Sequence, residues 1–129
     1  MARFETELFI GLRHDSDGVY VLNEPLIYAS DLLGKIVVPA GFNTDFASVP
    51  RVPVVYMAWG DRAHREAVIH DYLYRIDSEP VATFSDANKV FLEAMNARSK
   101  PWHIRWPMYA GVVIGGYLSY HKRRVLDVL

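Results

Sequence analysis

The side chains best equipped for chemistry lie between Arg65 and Met95. That stretch reads REAVIHDYLYR, a short polar break, then SDANKVFLEAM. It sets an imidazole beside a carboxylate at His70 and Asp71, a phenol one turn on at Tyr74, and a second carboxylate at Asp86. All four sit among apolar neighbours that a core would claim. Imidazole changes charge near neutrality, and a carboxylate facing it fixes its tautomer and raises its basicity. Buried polar groups must also be paired, so the same four residues could form a hydrogen-bonded brace with no chemistry at all.

Two helices must position them. Ala63, Ala67, Val68, Ile69 and Leu73 give the first helix apolar surface on more than one side, and Asp61 after Gly60 is a good N-cap. Glu66, His70 and Tyr74 recur at helical spacing and share one face. Asp71 lies about 100° round from His70. One of the pair can therefore meet a neighbouring helix while the other looks into a loop or cleft. Thr83-Phe84-Ser85-Asp86 fits a capping box at the start of the second helix, and Ala87, Val90, Phe91, Ala94 and Met95 follow at helical spacing. The break from Ile76 to Ala82 is short and contains Pro80, which predicts an antiparallel pair. That pairing is expected to bring Asp86 towards the level of His70.

Composition narrows the class. A chain of 129 residues, half of them hydrophobic, is a single globular domain with a real core. Residues 1–50 read as a β-rich part with a motif loop, and residues 61–124 as a helical part. The net charge of −1 gives no bias towards nucleic acid, which is not an expected partner. With no cysteine, disulfides, thiolate metal sites and a cysteine nucleophile are excluded. Met1-Ala2-Arg3-Phe4-Glu5 leads into alternation rather than an apolar signal segment. The longest uncharged run, Trp106 to Tyr120, is shorter than the roughly 20 apolar residues of a spanning helix.

Along the chain, Phe4, Thr6, Leu8 and Ile10 alternate with polar residues as a half-buried strand does. Asp15-Ser16-Asp17-Gly18 is a turn. Val19 to Leu22, Leu26 to Tyr28 and Lys35 to Val38 read as further strands of a small antiparallel sheet or meander. Pro39 to Pro50 is too irregular for a strand. Either it is a functional loop, or it is a connector in which Asp45 and Ser48 cap a turn. After Pro107 a small, glycine-containing apolar run ends in His121-Lys122-Arg123-Arg124. It reads as a buried third helix, with peripheral membrane contact as the alternative. The expected fold is α+β: a small N-terminal antiparallel sheet, then a three-helix part with an antiparallel helix pair.

Familiar catalytic signatures are missing: no H-E-x-x-H, no G-x-S-x-G, no phosphate-binding glycine loop. His14, His64, His103 and His121 have no metal-ligand spacing. A site joining His70, Asp71 and Asp45 would need a contact that spacing does not reveal.

Two resemblances carry the functional expectation. TDFASVP (Thr44 to Pro50) with HDYLY (His70 to Tyr74) and a Ser-Asp-Ala helix resembles an uncharacterised family of small proteins of tailed bacteriophages and prophages, over about Val37 to Tyr117. It implies a phage gene product, at work in the host cytoplasm during phage production or in the virion. The core HD-x-x-Y with an aspartate-led helix, His70 to Met95, is similar to phospholipase A2 enzymes. That likeness implies His70 as general base to a water, Asp71 as calcium ligand, Asp86 as the residue orienting His70, and Tyr74 as its support. The family's glycine-rich calcium loop is not evident here. The segment from Ala40 to Asp45 could stand in for it, with Asp45 a further ligand and Thr44 and Ser48 in the motif loop. The lead expectation is a calcium-assisted ester hydrolase acting at a membrane surface or on phospholipid. The rival is a non-catalytic assembly, virion (tail) or host-interaction protein, partnered with other phage structural proteins, in which the network is a brace.

Overall fold

From Arg3 to Ile10 every second side chain is half-buried while its neighbours are exposed, the two-residue period of extended chain. The computed structural model describes residues 2–12, 19–44, 64–97, 106, 109–110, 113, 120 and 124–126. Within them six strands form: β1 (Arg3–Phe4), β2 (Ile10–Leu12), β3 (Tyr20–Leu22), β4 (Leu26–Ser30), β5 (Gly34–Val38) and β6 (Asn43–Thr44). Two helices follow, α1 (His64–Leu73) and α2 (Phe84–Ala97). The architecture is α+β, with two antiparallel three-stranded sheets in the orders β1-β4-β5 and β2-β3-β6.

The single N-terminal strand expected from alternation is instead two short strands in different sheets. Phe4 pairs with Tyr28 in one, and Ile10 with Leu22 in the other. Between them the Thr6 hydroxyl accepts the Ile27 N–H (3.1 Å), so a side chain takes the place of a ladder carbonyl and pairing lapses. The motif loop also contributes more order than its composition promised, because Asn43 and Thr44 pair with Val21 and Tyr20. Gly41 makes this return possible. Its φ of +89° suits a residue without a Cβ, and its N–H donates to the Leu22 carbonyl.

The longer hairpin supplies the platform for the helices. Along β4 and β5, Leu26, Tyr28, Ile36 and Val38 are buried while Lys35 and Val37 face solvent, a two-residue period that fixes register. Against this face pack Val68, Ile69 and Leu73 of α1 and Val90 and Ala94 of α2. The Tyr28 hydroxyl donates to the Glu93 carboxylate (2.7 Å), which ties α2 to the sheet at a defined rotation.

The hydroxyl half of the expected capping box forms at the start of α2: Thr83 Oγ1 accepts the Asp86 N–H at 3.0 Å. Contacts between the helices run in opposite directions along them. Tyr74 meets Phe84 and Asn88, and His70, one turn earlier, meets Asn88 and Phe91, as antiparallel packing requires. The expected count of three helices is not met among the described residues, where two are delimited. Trp106, Tyr109, Ala110 and Val113 are helical, but most of the run that carried the third helix lies outside the described residues. The Asp15–Gly18 turn and the Asp61 cap lie outside them as well. Among the described residues no helix is long and apolar enough to cross a membrane.

Candidate functional site

Helical periodicity puts Glu66, His70 and Tyr74 on the face of α1 that meets α2, and all three are buried. His70 is wholly enclosed, at 0% exposure. Its ring stacks at 4.0 Å on Tyr74, a centroid separation tilted by 50°, and lies 5.2 Å from Phe91. Among the described residues, the polar atom bonded to the ring is the side-chain oxygen of Asn88, 2.7 Å from Nε2. The Tyr74 hydroxyl donates to that same oxygen at 2.6 Å.

This shared acceptor decides the protonation of the ring. An amide oxygen can only accept, so Nε2 must carry the proton and Nδ1 the lone pair. Nδ1 is buried and has no hydrogen-bond partner among the described residues, and neither has the Asn88 amide nitrogen. Burial pushes the His70 pKa down from 6.5 to about 4, against a smaller upward pull from the Asn88 bond. The imidazole is therefore neutral at pH 7, and its Nδ1 lone pair has no partner among the described residues. Burial likewise raises the Tyr74 phenol, so Tyr74 stays a donor at any physiological pH.

Asn88 occupies the place that Asp86 was expected to fill. The correction follows from helix geometry: residues two apart point about 200° apart, so only one of the pair can face α1. Asn88 shares the buried stripe of Phe91 and Met95, whereas Asp86 is half-buried in the first turn and acts on the Tyr120 phenol, which it helps to raise after burial itself. The signal was present in the sequence, since Asn88 is an amide on an otherwise apolar stripe.

Asp71 faces the other way, as its position round the helix predicts. Its carboxylate accepts a 2.5 Å hydrogen bond from the hydroxyl of Thr44, which is fully buried. The structure thus joins the first residue of TDFASVP to the second of HDYLY. Arg75, unremarked in the sequence, reinforces the junction. It is buried, lies 5.1 Å above the Phe42 ring and donates to the Asn43 carbonyl (3.3 Å). Asp45 and Ser48 lie outside the described residues.

The donors at Asp71 and Thr44 are hard oxygens, the kind calcium takes, but two fall short of its usual six to eight or so. Among the described residues no group of three acidic, histidine or cysteine side chains is arranged to hold a metal ion. Chemically, then, one face of α1 offers an oriented neutral imidazole, and the adjoining face a carboxylate bonded to the motif loop.

Residues 20–112 match the family described as "Protein of unknown function (DUF1353)". No curated protein and no solved structure matches the chain.

Proposed function

Because the chain belongs to the DUF1353 family, whose function its description leaves open, we propose from its own site chemistry that it is a phage-type protein with a phospholipase-A2-like ester hydrolase site. One observation carries the reading: Asn88 Oδ1 accepts from both His70 Nε2 and the Tyr74 hydroxyl. An acceptor at Nε2 braced by a phenol orients the imidazole and leaves Nδ1 as its basic atom. The phage assignment is supported by the TDFASVP and HDYLY motifs, which the Thr44–Asp71 bond brings into contact.

In the proposed reaction, water approaches Nδ1 of His70. Its proton passes to Nδ1 while its oxygen attacks the ester carbonyl carbon. The carbon–oxygen bond to the alcohol then breaks, and the imidazolium returns the proton to the departing alkoxide. Nδ1 is regenerated with its lone pair, and the products are a carboxylic acid and an alcohol. Asn88 and Tyr74 hold the ring in one orientation throughout. A calcium ion at Asp71 would polarise the ester carbonyl; no step here depends on it. The substrate class is a phospholipid ester at a membrane surface, met in the host cytoplasm during phage production or from the virion.

A second reading is favoured by the complete burial of His70. In it the His70–Tyr74–Asn88 cluster locks two helices in a non-catalytic assembly, virion or host-interaction protein. Fatty-acid release from phospholipid vesicles, with and without calcium, separates the two. The hydrolase reading expects release by the natural chain and its collapse in a folded His70→Ala variant. No release under any condition, with a lowered melting temperature in His70→Ala, selects the brace.

A further inference from the structure

We propose that Tyr120 is a positioning residue for the His70–Tyr74–Asn88 cluster, acting from beyond the family-matched residues 20–112. Tyr74 is the hub of that cluster, because its ring stacks on His70 and its hydroxyl bonds Asn88. Tyr120 packs edge-on against Tyr74, with ring centroids 5.5 Å apart and planes at 82°. It also packs edge-on against Phe84, at 5.7 Å and 74°, while Phe84 lies 6.0 Å from Tyr74. The three rings form a closed triangle of edge-on and tilted contacts, so the position of each bears on the other two.

The triangle is anchored to the connection between the helices. The Tyr120 hydroxyl donates a short hydrogen bond to the Ala82 carbonyl, just before α2. Five residues on, the Val125 N–H donates to the Asp77 carboxylate at 2.7 Å, and the Val125 side chain is buried. These two attachments tie Tyr120 and Val125 to the same short connection whose length sets the helix pairing. A shift of Tyr120 therefore passes to Tyr74, then through Asn88 Oδ1 to Nε2 of His70. The catalytic consequence rests on the hydrolase reading, but the positional claim holds whether or not the site hydrolyses anything.

The test follows the His70 Nε2–H directly, by its solvent exchange in ¹⁵N-labelled full-length chain, alongside kcat and KM for phospholipid ester. In Tyr120→Leu, loss of the edge-on contacts is expected to speed that exchange about tenfold, and to lower kcat with little change in KM. Tyr120→Phe keeps the ring but loses the Ala82 bond, so its exchange should rise by only about threefold. Val38→Ala, in the sheet core, controls for general loss of stability. Unchanged exchange in Tyr120→Leu overturns the proposal, as does an equal rise in a Val38→Ala chain of matched melting temperature. Should Tyr120→Leu not fold, Tyr120→Phe decides, and exchange identical to the natural chain overturns it. A natural chain that cleaves no ester sinks the hydrolase reading and leaves the exchange result to stand on its own.

Discussion

His70 and Asp71 are consecutive on α1, yet they belong to different junctions. His70 looks into the seam between α1 and α2, where it is fully buried among rings and bonded to a neutral amide. Asp71 looks towards β6, is half-buried, and is bonded to a hydroxyl on the motif loop. In the seam, desolvation dominates: it keeps the imidazole neutral and the Tyr74 phenol protonated. At the loop junction the Asp71 carboxylate is half-buried and accepts from the Thr44 hydroxyl. One helical step separates a wholly buried imidazole from a half-buried carboxylate.

The largest effect expected from breaking this contrast is catalytic. On the proposed hydrolase reading, replacing His70 with alanine should lower phospholipid ester cleavage by a factor of about 10² to 10⁴, the range for loss of a general base. Far-ultraviolet circular dichroism would check that the fold survives. A folded variant that cleaves as fast as the natural chain removes His70 from the chemistry.

Next in size is acid sensitivity. The unfolded chain binds a proton at His70 below pH 6.5, whereas the folded chain resists until about pH 4. Between those values the unfolded state holds more protons, so stability is full above pH 6.5 and falls as pH drops towards 4. The expected loss from this residue is about 3 kcal/mol, at roughly 1.4 kcal/mol per pH unit. Urea unfolding of the natural chain and of His70→Gln at pH 7 and pH 4.5 would measure it, and equal slopes in the two chains would contradict a dry imidazole.

Asn88 allows the seam to be sharpened. Asn88→Ala strands the His70 Nε2–H and the Tyr74 hydroxyl, and should cost about 2 kcal/mol in chemical denaturation. Asn88→Asp supplies a charge of opposite sign and should raise the His70 pKa, visible in an NMR titration of the ring. A titration that does not move would mean the amide is not the ring's partner.

The loop junction should respond least. Thr44→Val deletes a bond to a half-exposed carboxylate and should cost about 1 kcal/mol, with the His70 titration unaltered. Calcium binding is the sharper probe there. Calorimetry should register binding to the natural chain that vanishes in Asp71→Ala, and a flat trace for the natural chain removes calcium from the proposal.

Much of this arrangement was written in short-range pattern. Alternation marked the strands, Thr83 marked the start of α2, and helical spacing put Glu66, His70 and Tyr74 together and turned Asp71 away from them. The partner of His70 is not legible in sequence spacing, because periodicity gives an angle about a helix axis, not the rotation of a second helix against the first. The hydroxyl of Thr6 likewise divided one alternating stretch between two sheets, which alternation alone does not encode.

The amino-acid sequence by itself determined which faces exist, because backbone geometry fixes where each side chain points from its own element. Tertiary packing decided which faces meet. Burial of α2 against β4, with Tyr28 bonded to Glu93, set the rotation that turns Asn88 rather than Asp86 towards His70. The return of β6 beside β3 brought Thr44 to Asp71. Those contacts join residues far apart in the chain, and it is core packing over the whole domain that selects them.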